Sequence, residues 1–251
     1  MHYNPRMADG PVEARTDPKW PKLLSLSAHE FRSPLTVVAG YVRMLLQERA
    51  GPLGDQQRRL LEEAEKSCGR LSQLLAELSE LSQLESGTAP FNRGTVKVKT
   101  MLDDAIASLP DLPDRTVTIG LTVDTDLAVQ GDASRLRTAL ASILLALRRE
   151  LVTGDHLAVR VDSVNPDALR ITIGDPHRLD ELRQLEPVAM VTFDEWRGGN
   201  GLSLPNARRV IEAHGGRLWS PALGGRDHDK AAAIVMLPTT GRSVSRSVRR
   251  H

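Results

Sequence analysis

The sequence predicts an α+β protein in two parts: a helical hairpin that forms a dimeric four-helix bundle, followed by an α/β sandwich. Two patterns carry this prediction. Residues 20–86 place apolar side chains at steps of three and four, the spacing of helices that pack along a seam. From residue 95 onward, short alternating stretches are interleaved with helical ones, the order of a mixed α+β layer. Hydrophobic residues make up 40% of the 251 and aromatics only 3%, so both cores must be built from Leu, Val, Ile and Ala.

Residues 1–19 are polar and contain proline, and read as a disordered arm ahead of the first helix. The hairpin domain is expected over 20–90, with a first helix over 20–49 whose seam is Leu24, Ala28, Phe31, Leu35, Val38, Val42 and Leu45. Gly51-Pro52-Leu53-Gly54 is a turn, and Asp55 is a plausible N-cap for a second helix over 56–86. That helix carries Leu61, Ala64, Cys68, Leu71, Leu75 and Leu78 on one stripe and closes at Gly87. Two amphipathic helices cannot bury both seams alone, whereas two copies would make a four-helix bundle.

The second domain is expected over 91–240. Thr95–Val98 reads as a strand, 99–108 as a helix, Val117–Val123 and Ala128–Gln130 as strands, and 133–150 as a helix. Leu157–Val161 and Leu169–Ile173 form a hairpin around Asn165-Pro166. Residues 175–200 read as irregular, 202–214 as a helix and 230–237 as a closing strand. The tail 241–251 has four arginines and no acid and is expected to be loose.

Composition narrows the function. A net charge of +1 argues against a general nucleic-acid binder. No run of 18 apolar residues exists, so no membrane span is expected, and the N-terminus lacks the apolar core of a signal peptide. The single cysteine, Cys68, excludes an internal disulfide and fits a reducing cytoplasm. It falls on a helical stripe, where a buried thiol is expected.

The most informative stretch is Ala28-His29-Glu30-Phe31-Arg32-Ser33-Pro34-Leu35-Thr36-Val37. With Ala28 and Phe31 on the seam, His29, Glu30 and Ser33 fall at outward positions of the helix. Pro34 sits mid-helix, removing a hydrogen bond to the Glu30 carbonyl at a cost of about 3 kcal/mol. A local cost beside an exposed polar set points to function rather than packing.

This stretch resembles the H-box of sensor histidine kinases, His-Glu-Leu-Arg-Thr-Pro-Leu-Thr, here HEFRSPLT. The resemblance implies that His29 accepts a phosphoryl group. A neutral imidazole is a competent nucleophile near pH 7, and the adjoining acid can orient the ring and take its second proton. The family's dephosphorylation pair maps onto Glu30 and Ser33. Residues 20–90 resemble the family's dimerisation and histidine-phosphotransfer domain, and about 92–238 its ATP-binding domain.

Within that second resemblance the boxes are unevenly kept. Asp132, Arg135, Leu136, Leu140 and Leu144 match the helix that normally carries two asparagines, but Ser142 and Ala146 stand at the asparagine positions. Ala146 occupies the place of the family's magnesium ligand and supplies no oxygen. The family's Asp-x-Gly-x-Gly becomes Asp175-Pro176-His177-Arg178-Leu179, which keeps the adenine-binding aspartate and loses both glycines. A second reading of Asp175 is a plain turn cap. Gly199-Asn200-Gly201-Leu202-Ser203-Leu204 resembles the family's phosphate loop, which makes Gly199 and Gly201 cofactor-binding candidates. Val210–Leu218 is close to the family's following helix end, where His214 is expected to be structural. No metal ligands are assigned, and ATP with Mg²⁺ is the cofactor pair expected only if the kinase domain is active.

The resemblance therefore implies a cytoplasmic, homodimeric phosphorelay protein, similar to histidine phosphotransferases with a pseudo-kinase domain. It would exchange a phosphoryl group between His29 and an aspartate on a response-regulator receiver domain. The short stretch before the first helix is not expected to hold a sensor, and a separate sensor or kinase is a further partner that this reading allows. Two alternatives stay open: an active cytosolic sensor histidine kinase that phosphorylates His29 from ATP, and a non-enzymatic pseudokinase scaffold.

Overall fold

The computed structural model describes residues 19–123, 127–151, 154–186, 189–197, 201–222 and 231–239. The arm over 1–18, Lys230 and the tail over 240–251 lie outside the described residues.

Helices α1 (Lys19–Leu46) and α2 (Asp55–Glu85) run antiparallel and are tied at their ends. The Ser82 hydroxyl donates to the Pro21 carbonyl at 2.6 Å, and Arg43 pairs with Glu65 at 3.5 Å toward the turn. Helix α1 runs unbroken through Pro34. Alternate positions of the expected seam do different work. Leu24, Ala28, Leu35 and Val42 face α2 and are buried or half-buried. Phe31, Val38 and Leu45 are exposed at 62%, 52% and 37%, and Trp20, Leu23 and Tyr41 lengthen this uncovered strip. A single partner helix covers only one side of an apolar stripe this wide. Leu71 of the α2 stripe is likewise exposed, while Cys68 is buried as expected.

Asp55 is the first residue of α2 rather than its cap. Gly54 precedes the helix, with its N–H donating to Gln57 Oε1 at 2.9 Å. The Asp55 carboxylate instead lies in the first turn, where its charge complements the helix dipole.

The second part contains β1 (Gly94–Lys97), α3 (Val98–Ala107), β2 (Thr118–Val123), β3 (Ala128–Gly131) and α4 (Ala133–Glu150). These are followed by β4 (His156–Asn165), β5 (Ala168–Gly174), α5 (Leu179–Arg183), β6 (Met190–Thr192), α6 (Ser203–Ala213), β7 (Arg217–Pro221) and β8 (Ala233–Pro238). Strands β1 and β3 pair antiparallel in a small sheet. The main sheet has order β2-β4-β5-β8-β7-β6, with β2 parallel to β4 and its other neighbours antiparallel. Period-two alternation puts Leu157, Val159 and Val161 on the inner face of β4, and Leu169, Ile171 and Ile173 on that of β5. Helices α4 and α6 cover this face with Leu136, Leu140, Ile143, Leu144, Leu147, Leu204, Val210 and Ile211.

The stretch expected to be irregular, 175–200, instead contains a 3-10 turn over Pro176–Arg178, helix α5 and strand β6. Each is too short to show a hydrophobic period. Leu182 of α5 is 2% exposed and packs over Gly174, where an added Cβ would meet Leu182 Cδ1 at 2.5 Å.

Candidate functional site

His29, Glu30 and Ser33 are all exposed on α1, and His29 directly follows the buried Ala28. The i, i+4 spacing puts His29 and Ser33 on one face, and Glu30 lies three residues before Ser33. Among the described residues, none of these three side chains has a hydrogen-bond partner. The segment around them is fixed by its neighbours: Arg32 Nη2 donates to Ser79 Oγ on α2 at 3.0 Å, and Thr36 Oγ1 donates to the Arg32 carbonyl at 2.8 Å. A buried alanine before it and an arginine strapped to α2 after it hold this turn, so the imidazole is presented to solvent on a rigid support.

The second group of expected site residues is dispersed. Ala146 is fully buried in the core of the second domain. The Ser142 hydroxyl donates to the Thr138 carbonyl of its own helix at 3.0 Å. Asp175 accepts from the His177 backbone N–H at 2.8 Å and caps the 3-10 turn that follows it. Gly199 lies outside the described residues. Gly201 has φ +62° and turns the chain into α6 against the side of α2. A groove of about 610 Å³ runs between α2, α4 and α6 and includes Arg70, Glu77, Arg135, Ser142, Gly201 and Asn206 among its lining residues. Neither Asp175 nor Ala146 reaches it. Among the described residues, no group of three or more His, Cys, Asp or Glu side chains could hold a metal ion.

What the sequence reading missed is a polar hub where the hairpin meets the second domain. The Asp132 carboxylate accepts from Asn92 N at 2.9 Å and from Arg135 N at 3.1 Å. Burial works to raise its carboxyl, but these donors prevail and hold it below the usual carboxylate range. The Asp132 N–H donates to His214 Nε2 at 2.9 Å, and His214 Nδ1 lies 2.6 Å from the Val210 carbonyl. Nδ1 therefore carries the proton and the ring is neutral. Burial pushes the His214 pKa down, consistent with that state. Phe91 packs edge-on against His214 at 5.2 Å, with the Arg93 and Arg135 guanidinium groups over its face. Arg135 also pairs with Glu80 of α2. The expected structural role of His214 agrees with this geometry. The signal for the rest was slight: Phe91 is one of only three phenylalanines, placed just after the hairpin.

Residues 22–87 match the family model of the His Kinase A (phospho-acceptor) domain. The chain is 25% identical over 217 residues to the sensor histidine kinase WalK of Bacillus subtilis, covering 79% of this chain and 34% of that protein. It is 28% identical over 203 residues to the sensor protein BasS of Salmonella typhimurium, covering 76% of this chain and 52% of that protein. The chain thus spans about a third to a half of the length of these relatives. Its fold is also that of full-length ShkA solved with AMPPNP, with TM-score 0.65 at 19% identity, over 87% of this chain and 45% of that one. No helix among the described residues is long and apolar enough to cross a membrane. Residues 22–87 thus belong to the phospho-acceptor domain family, with the H-box histidine on their first helix, and the chain as a whole is similar to sensor histidine kinases.

Proposed function

We propose that the chain is a dimeric phosphorelay protein that carries a phosphoryl group on His29 and exchanges it with an aspartate of a response-regulator receiver domain. The observation that carries this reading is the exposed His29, whose side chain has no hydrogen-bond partner among the described residues, with Glu30 and Ser33 beside it on a braced helix turn. In the acceptor direction, a ring nitrogen of His29 attacks the phosphorus of the aspartyl phosphate. The new P–N bond forms as the P–O bond to the aspartate breaks, and the carboxylate leaves with the bonding pair. The Glu30 carboxylate takes the second imidazole proton, and the Ser33 hydroxyl can position a water for hydrolysis. The uncovered strip of Trp20, Leu23, Phe31, Val38, Tyr41 and Leu45 supports pairing with a second copy as a four-helix bundle.

In this reading the residues of the second domain do not fit a magnesium nucleotide. The position of the family's metal ligand is a buried methyl group, Asp175 is spent on its own turn, and Leu182 fills the space over Gly174. A second reading, an autophosphorylating sensor kinase, is favoured by the retained turn at Gly201 and by the kinase relatives. One experiment separates them. The purified chain is mixed first with Mg²⁺ and γ-labelled ATP, then with a phosphorylated receiver domain. Label on His29 from the receiver alone supports the phosphorelay reading. Label from ATP alone establishes the kinase, and no label from either source refutes both.

A further inference from the structure

The side of α2 turned away from α1 carries Glu77, Glu80 and Glu85, and each meets the second domain. Glu77 Oε2 accepts from the Leu202 backbone N–H at 3.1 Å, and the Glu77 carbonyl accepts from Asn206 Nδ2 at 2.9 Å. Glu80 pairs with Arg135 on α4, and Glu85 with Arg209 on α6. Asn206 is buried, at 6% exposure, beneath this contact. Leu202 immediately precedes α6, where unsatisfied N–H groups and the helix dipole favour an anion. A carboxylate of the chain itself already holds that position. The contact is close: a Cβ added at Gly201 would lie 3.1 Å from Leu74 Cδ2 and 3.3 Å from Glu77 Oε2.

We infer that Glu77 is a built-in occupant of the anion seat at the start of α6, and that it latches the second domain onto the hairpin at the height of His29. The height follows from the register of the antiparallel helices. Ser82 meets Pro21, and eight residues along each helix, about 12 Å at 1.5 Å per residue, bring His29 level with Leu74, within a turn of Glu77. The second domain is thereby held beside the phosphoryl-accepting turn. Releasing the latch frees the domain to move away from it and opens the seat to an outside anion. The inference goes beyond phosphoryl exchange at His29, and its test involves neither phosphate nor nucleotide, so each can fail without the other.

The test uses the full chain, with hydrogen exchange at the Leu202 amide and small-angle scattering. Glu77→Ala should speed Leu202 exchange at least about tenfold, the loss expected for a hydrogen bond to a charged acceptor. Glu77→Ala combined with Glu80→Ala should also enlarge the radius of gyration. Glu63→Ala, a change at an exposed acid of the same helix that pairs only within it, should alter neither. Leu202 exchange within twofold of wild type in Glu77→Ala, or an unchanged radius in the double variant, overturns the latch. If the double variant does not fold, the wild-type chain decides. Raising salt from about 0.1 M to about 1 M shortens the screening length from about 10 Å to about 3 Å and should accelerate Leu202 exchange, and no acceleration overturns the proposal.

Discussion

His214 should make the stability of this chain depend on pH just below neutrality, and removing it should abolish that dependence. The ring is 4% exposed, donates from Nδ1 to the Val210 carbonyl and accepts at Nε2 from the Asp132 N–H. Protonating Nε2 would turn that acceptor into a donor facing an N–H group. Burial is the main cause that holds its pKa below the ordinary value of 6.5 in the folded state. The sign follows. Below about pH 6.5 the unfolded chain binds a proton that the folded chain does not, so stability is complete above that pH and is lost as pH falls toward the folded pKa. One proton sets a ceiling of about 1.4 kcal/mol per pH unit. Asp132, held below its ordinary 3.8, stays ionised throughout this window and does not confound it. Urea unfolding at pH 7.5, 6.5 and 5.5 should show the wild-type free energy falling across the lower interval. The variant His214→Asn should be about 2–4 kcal/mol less stable at pH 7.5, through two lost hydrogen bonds and lost packing, yet nearly flat with pH. A variant as steep as wild type between pH 6.5 and 5.5 would show that the dependence arises elsewhere.

Three further outcomes are expected. His29→Ala should leave unfolding free energy within about 0.5 kcal/mol of wild type while removing all acid-labile phosphate after incubation with a phosphorylated receiver domain; retained label would assign the acceptor to another residue. Phe31→Glu with Val38→Glu should convert the dimer to monomer in light scattering at micromolar concentration, because it charges the uncovered strip without touching the α1–α2 contact, and a wild-type monomer would defeat the pairing argument. Gly174→Ala should cost about 1–3 kcal/mol in urea unfolding through overpacking against Leu182 Cδ1, and a neutral result would mean that α5 yields freely.

The parts of the fold that could be read in advance are those with a long period or strict alternation. The eighteen residues of α4 bury Leu136, Leu140, Ile143, Leu144 and Leu147 on one stripe, and β4 and β5 alternate across the sheet. The elements between 175 and 197 escaped because their information is tertiary. Helix α5 has five residues and one buried side chain, and β6 has three residues held at the sheet edge by pairing with β7. The hairpin seam was legible as periodicity, but not how it divides. Which of Ala28 and Phe31 meets the partner helix depends on crossing geometry, and one stripe serves both the hairpin and the uncovered strip.

The candidate site divides in the same way. The H-box is contiguous and lies on one helix, so neighbours in sequence are neighbours in space, and the exposure of His29 follows from its place next to a buried Ala28. The contacts that join the two parts are of the opposite kind. Glu77 and Leu202 lie 125 positions apart, and Asp132 and His214 lie 82 apart. In the sequence, Glu77, Glu80 and Glu85 look like ordinary solvated charges on a helix. They gain meaning only when Arg135, Leu202 and Arg209 arrive opposite them. The Gly201 turn, close against Leu74 and Glu77, gains its place in the same way. The Leu202 N–H at the start of α6 is already satisfied by the Glu77 carboxylate of the same chain.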